Sequence, residues 1–300
     1  MMVLGDFLNT ENKRRCIIFG ATGRTGRQIA EYFTAMGWQV IAVGRDRAKL
    51  ENLDLEYAIL DFNNGAFADG ENPIRPGDVV VLSAGVRFVP KIVKLCPPTV
   101  GRFVVVGSAR YLSAYPGAGG IAMREAIEML PTTGLDWVLL APTMIYGAAG
   151  ENNIMRMAGL IKRFAIVPLP QGGKTLLQPI HTSDVVKSVA AAATANGVSG
   201  KVINLAGPKA ITNRELLENI ALAMGRKVTV IGLPKWLMHL LAFFTRITPG
   251  IPSISYEEVE RLVEDRTVST DNMKNLLGIR PMGLKEGLKE TFIGYDKATD

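Results

Sequence analysis

A chain of 300 residues, 48% hydrophobic and 21% charged, has the balance of a globular protein and the length to bury one large core or two closely joined ones. No run reaches the roughly 18 uninterrupted apolar residues of a membrane span, and two cysteines, Cys16 and Cys96, make no disulfide framework. The formal charge of +6 is scattered along the sequence rather than striped, so no nucleic-acid partner is expected, and His181 and His239 offer no metal-ligand spacing, so no metal is expected either. Residues 1–15 lack the basic-then-apolar order of a signal peptide, which points to a cytoplasmic chain, peripheral to a membrane at most.

In chain order, residues 17–19 read as a strand that runs through Gly20-Ala-Thr-Gly23-Arg-Thr-Gly26 into a helix. There Ile29, Tyr32, Phe33 and Met36 recur at helical spacing, and Gly37 stands at the C-cap position. Gly20 permits a tight strand exit, Gly23 lets the main chain approach a ligand, and Gly26 lets the helix pack closely. Gly20, Thr22, Gly23, Arg24, Thr25 and Gly26 are thus the candidate cradle for the pyrophosphate of a dinucleotide, aimed at by the helix N-terminus. A second strand, 38–43, ends in Gly44-Arg45-Asp46, where an NAD site would place an acid on the ribose 2′-hydroxyl. Arg45, with Arg24, instead suits a 2′-phosphate, which favours NADP(H). NAD(H) is the weaker reading, and holds if Asp46 rather than Arg45 faces the ribose; the plain role of Asp46 is N-cap of a short helix, 47–53.

The alternation continues with strands at 55–60, 78–83, 102–106 and 135–140 and helices at 88–95 and 121–130. Near-continuous apolar runs such as Val79-Val-Val-Leu82 and Phe103-Val-Val-Val106 are those of strands covered on both faces, so the fold class is α/β, a doubly wound parallel sheet. Beyond Gly147 the pattern loosens into a helix at 153–164, a Pro/Gly-rich stretch at 168–174 and a helix at 185–194 capped by Thr182 or Ser183. A strand at 202–205 returns to the main sheet, and a capping box, Thr212 to Glu215, opens a helix that Gly225 ends. The expected layout is a nucleotide-binding domain over 13–145 plus 182–206 and a smaller, mainly helical substrate lobe over 146–181 plus 207–300.

Five segments taken together resemble the extended or atypical short-chain dehydrogenase/reductase superfamily, in its NAD-dependent epimerase/dehydratase branch, over about residues 14–232. They are the glycine motif, Asp61 after the third strand, Gly107-Ser108 after the fifth, Ala141-Pro-Thr-Met-Ile-Tyr-Gly147 after the sixth, and Gln178-Pro-Ile-His-Thr-Ser-Asp184. The resemblance implies a Rossmann fold in which Asp61, with Phe62 beside it, meets the adenine. It further implies that Ala84, Gly85 and Val86 line the nicotinamide ribose and that Pro142, Thr143, Met144 and Ile145 hold the nicotinamide end. The tail, with Ser255-Tyr-Glu-Glu-Val-Glu-Arg-Leu-Val-Glu-Asp265 and Leu276-Leu-Gly-Ile-Arg-Pro281, is similar to the NADPH-binding accessory subunits of respiratory complex I.

Enzymes of the superfamily move a proton with a tyrosine whose pKa is lowered by a lysine four residues on. That pair is absent here: the lysine position falls on Arg124 and the tyrosine position on Gly120. Ser108 keeps the place of the serine that meets the substrate oxygen. The catalytic candidates are therefore Ser108, Tyr111, Tyr115 and Arg124. Three functions stay open: an oxidoreductase or nucleotide-sugar epimerase-like enzyme on an unnamed small molecule, a non-catalytic NADP(H)-binding accessory subunit, and a cofactor-sensing regulator.

Two other features carry competing readings. His181, Ser183 and Asp184 suggest a hydrolase triad, but residues this close at a helix start do not converge on one nucleophile, and no G-x-S-x-G elbow is present. At 234–246, Trp236, Leu237, Leu240, Leu241 and Phe244 fall on one face flanked by Lys235 and Arg246. The base-rate reading is burial against the smaller lobe. The alternative is a helix that meets a membrane surface, a protein partner or a substrate entrance.

Overall fold

The computed structural model describes residues 13–62, 65–68, 70–147, 153–247 and 256–299. The chain opens with β1 (Arg15–Phe19), α1 (Arg24–Ala35), β2 (Gln39–Gly44), α2 (Arg47–Glu51), β3 (Glu56–Asp61) and β4 (Ala66–Phe67). It continues with β5 (Val79–Leu82), α3 (Val89–Leu95), β6 (Arg102–Val106), α4 (Gly117–Met129) and β7 (Trp137–Pro142). Then follow β8 (Ile145–Tyr146), α5 (Asn153–Arg163), β9 (Ile166–Pro170), β10 (Leu176–Leu177), β11 (Ile180–His181), α6 (Thr182–Thr194) and β12 (Lys201–Leu205). The remainder is β13 (Ile211–Thr212), α7 (Asn213–Ala223), β14 (Thr229–Leu233), α8 (Lys235–Ile247), α9 (Tyr256–Arg261), α10 (Asp271–Leu277) and α11 (Leu284–Thr299).

Eight strands form one sheet in the order β12-β7-β6-β5-β1-β2-β3-β4, parallel throughout except where β4 returns antiparallel on β3. The order reverses beside β1, the switch point at which doubly wound sheets bind ligands beyond their carboxyl ends. Strand alternation divides the apolar residues between two cores. Cys16, Ile18, Ala42, Val81 and Val104 face α1 and α6, whereas Ile17, Phe19, Val80, Leu82 and Phe103 face α3 and α4. Every residue of β5 and of β7 is buried, which is why these strands read as unbroken hydrophobic runs.

On α1 the buried stripe is Gly26, Ile29, Ala30 and Phe33; Tyr32 and Met36 share the spacing but face solvent. A third core joins α5, α7, β9 and α11 around Tyr146, Leu169, Leu216 and Leu288. Within it β9 pairs in parallel with β14, so the Pro/Gly-rich stretch is in part a strand. The capping box closes as expected, with Thr212 Oγ1 accepting from Glu215 N and the Glu215 carboxylate from Thr212 N. No helix among the described residues is long and apolar enough to cross a membrane.

Candidate nucleotide site

Three glycines shape the end of β1, for three different reasons. Gly20 has φ +86°, and a Cβ there would stand 2.7 Å from the Cα of Ala84, so only glycine lets β1 turn beneath the end of β5. A Cβ on Gly26 would lie 2.0 Å from the Gly20 carbonyl oxygen; the glycine therefore packs the helix on the turn itself. Gly23 differs. Its virtual Cβ meets only Gly20 O, at 3.2 Å, and it lies exposed at the N-cap of α1. No side chain caps this helix and no acid occupies its first turn, while Gly23 N donates back to Gly20 O at 3.0 Å. The result is a twelve-residue helix whose N-terminus is open to an anion, with half-buried Thr22 and Thr25 and exposed Arg24 around it.

At the end of β2, Arg45 is exposed, whereas Asp46 turns its carboxylate onto α2. It accepts from Lys49 N at 3.2 Å, and that hydrogen bond, with the Lys49 ammonium, holds its pKa below the ordinary value. Asp61 closes β3 and is exposed. Phe62 is buried, its ring edge-on to Phe19 at 6.3 Å and tilted on Phe88 at 4.7 Å. Val86 is likewise part of the α3/α4 core, while Gly85, at φ +118°, has open space where a side chain would be and Ala84 is half-buried. Pro142 is buried at the end of β7. Thr143 donates its amide to Leu205 O and its hydroxyl to Gln178 O, and Met144 O accepts from Ile180 N. Ile145 packs into the α1/α6 core.

Every catalytic candidate lies on the loop after β6 or on α4, and the side chains of Ser108, Tyr111 and Arg124 have structural partners. Ser108 Oγ accepts from Arg110 N at 3.3 Å. Tyr111 donates to Asn204 Oδ1 on β12 at 3.2 Å. Arg124 donates through Nε to Tyr111 O at 2.8 Å and through Nη2 to Ser113 O at 2.9 Å, tying down the loop it was expected to serve. At Gly120 a Cβ would come within 2.6 Å of Pro116 Cβ and 2.8 Å of Arg110 O, so this position has no room for a tyrosine. The Glu260 carboxylate on α9 pushes the Tyr115 phenol above the ordinary pKa, opposite to the shift that a catalytic tyrosine needs.

Sequence reasoning missed the partners that fix this loop. Glu264 accepts from Ser113 Oγ at 2.5 Å and from Ala114 N at 2.6 Å across a separation of 150 residues. Glu260, 1% exposed, accepts from Lys235 Nζ at 2.6 Å and pairs with His239 Nε2 at 3.0 Å; these donors hold its carboxyl below the usual range. Buried Gln178 donates to Gly207 O and accepts from Val268 N, linking the segment after β7 to the tail.

His181, Ser183 and Asp184 do not converge. His181, not Thr182 or Ser183, is the N-cap of α6: its Nδ1 meets Ser183 Oγ at 2.8 Å and accepts from Ser183 N. An imidazole acceptor two residues back serves as an Asn side chain would, and Thr182 is drawn away to Gln28 on α1. Asp184 is buried and accepts from Met282 N at 2.7 Å. Burial also depresses the His181 pKa, and its Nε2 is buried with no partner among the described residues, 2.2 Å from where a Cβ on Gly147 would stand.

Helix α8 buries one side against the smaller lobe, but not the face marked out by spacing. Met238 and Ala242 are buried against Val259, whereas Trp236, Leu240 and Leu241 face solvent and Leu237 is half-buried. The side chain of Phe244 lies outside the described residues.

Residues 20–167 match the NAD(P)H-binding family. The chain is 24% identical over 290 residues to an uncharacterised protein of Mycobacterium tuberculosis, covering 93% of this chain and 29% of that one, so it spans less than a third of that relative's length. It is 23% identical over 293 residues to the mitochondrial NADH dehydrogenase [ubiquinone] 1 alpha subcomplex subunit 9 of Rattus norvegicus, covering 89% of this chain and 75% of that one. Among solved structures, UDP-glucuronic acid 4-epimerase from Bacillus cereus in complex with NAD superposes with a TM-score of 0.71 at 12% identity, covering 95% of this chain and all of that one.

Proposed function

We propose that this chain, an NAD(P)H-binding Rossmann domain of the short-chain dehydrogenase/reductase type joined to a smaller helical part, binds NADP(H) and holds it without turnover, as an accessory subunit of a redox assembly. The observation that carries this reading is the loop at 108–115. Tyr111 and the arginine of α4 are engaged by Asn204 and two loop carbonyls, Ser108 Oγ accepts from Arg110 N, Glu260 raises the Tyr115 pKa, and the tyrosine position is a glycine packed against backbone. The similarity to the rat NADH dehydrogenase subunit supports the same reading.

The glycine cradle fits a dinucleotide. The open N-terminus of α1 would take the pyrophosphate, and Arg24 and Arg45 would take a 2′-phosphate while Asp46 stays engaged on α2. A bound nicotinamide supplies a hydride donor or acceptor. Transferring that hydride to a carbonyl also requires a proton, and Tyr115, with its pKa raised by the Glu260 carboxylate, is a poor source for it. The test is a turnover screen of sugar nucleotides, quinones and small carbonyls with NADPH, run on the unmodified protein and on Ser108→Ala and Tyr111→Phe. The reading predicts no turnover and unchanged nucleotide affinity in all three. Turnover lost in either variant would establish an enzyme instead.

A further inference from the structure

Helix α8 buries Met238 and Ala242 beside Val259, while half-exposed Lys235 and His239 reach across to the buried Glu260. Its outward stripe is apolar: Trp236, Leu240 and Phe243 recur at i, i+4 and i+7, with Trp236 68% and Phe243 58% exposed. The apolar surface continues past the helix. α8 packs beside β9, and the β9–β14 pair buries Val167, Leu169 and Val230 on one face while leaving Ile166 and Ile231 exposed on the other, next to exposed Phe164. Exposed aromatic and aliphatic side chains on two neighbouring elements mark an interaction site.

Charge indicates the partner. Residues 153–175 and 222–247, joined by β9 and β14, carry eight of the chain's 34 Lys and Arg and none of its 28 Asp and Glu, and two of the eight, Arg156 and Lys235, pair with carboxylates of α9. The cations look scattered in sequence, and the fold gathers them. Exposed Lys162, Arg163, Arg226 and Lys227 border β9 and β14, and the described carboxylates of α9 are paired, Glu258 with Arg156 and Glu260 with Lys235 and His239. A thirteen-residue helix is about 20 Å long, too short to span a bilayer but suited to lie in its interface. We propose that α8 and the outer face of β9–β14 dock this protein on an anionic lipid bilayer, with Trp236, Leu240 and Phe243 inserted among the headgroups and the neighbouring cations over the lipid phosphates.

The chain's three tryptophans supply the readout, because Trp38 and Trp137 are buried and Trp236 is exposed. The full-length protein is mixed with vesicles of phosphatidylcholine alone or of phosphatidylcholine with phosphatidylglycerol, and sedimentation and tryptophan emission are followed. Expected are co-sedimentation with the anionic vesicles, weakening with added salt, and a blue shift that vanishes in Trp236→Phe while sedimentation persists. Leu240→Glu, at an exposed position that folding does not need, lowers partitioning by about tenfold or more. Equal binding by the Leu240→Glu variant would overturn the proposal. So would absence of vesicle binding together with a concentration-dependent oligomer that Leu240→Glu dissociates, which would assign the face to a second copy of the chain.

Discussion

Gly23 and Gly26 sit three residues apart in one motif, yet the physical demands on them differ. Gly26→Ala would push a methyl group into the Gly20 carbonyl, so a loss of about 1–3 kcal/mol, the usual cost of overpacking, is expected, with nucleotide binding falling as the turn distorts. Gly23→Val should lower stability by about 1 kcal/mol, since valine is a poor N-cap and its Cβ meets Gly20 O at 3.2 Å, yet leave the chain folded and abolish nucleotide binding; retained affinity in the folded variant would refute the cradle. Arg45→Ala should narrow the preference for NADPH over NADH by about 1.5–3 kcal/mol, the range for hydrogen bonds to a charged group, as read by calorimetry. His181 has a pH signature. Burial lowers its folded pKa below the ordinary 6.5, so the unfolded chain takes up the proton first. Stability is unaffected by this group above that value and falls as pH drops through it toward the depressed folded value. His181→Asn, which keeps an acceptor for Ser183 N, should flatten denaturation midpoints over that acidic window; an unchanged slope would show that the imidazole is not the group responsible.

At the scale of elements, the main sheet was legible because burial on both faces imposes unbroken apolar runs, and the first βα unit because its glycines obey local geometry. Helix α4 was legible only in part. It begins at Gly117, four residues before the expected 121, because three glycines hide a helical turn from propensity while close packing on Arg110 O requires Gly120. β9 was hidden by Pro168 and Pro170, which a two-stranded pair tolerates along its unpaired edge. Neither the Glu264 clasp nor Tyr111–Asn204 left a local signal, since each joins segments more than 90 residues apart. Glu264→Ala leaves the Ser113 hydroxyl and the Ala114 amide without their acceptor. It should cost about 1–3 kcal/mol and speed amide exchange at 109–116 with nucleotide affinity unchanged. Unaltered exchange there would show that Arg124 and the Tyr111–Asn204 bond hold the loop without Glu264.

For the whole molecule, the proposals assign a division of labour: the end of the sheet to a nucleotide, the loop at 108–115 to structure, tied down by Glu264, and the exposed apolar face of α8 to a lipid surface. Composition alone could not reveal the last feature, because a net charge of +6 is unremarked until the fold collects the bases around β9 and β14. The central claim is that this chain retains NADP(H) rather than consuming it. Its most direct test is to purify the protein without added nucleotide, denature it and identify what is released by mass. The account predicts near-stoichiometric NADP(H), displaced slowly by excess free nucleotide. Release of NAD(H), or a site that is empty on purification and exchanges rapidly, would contradict it.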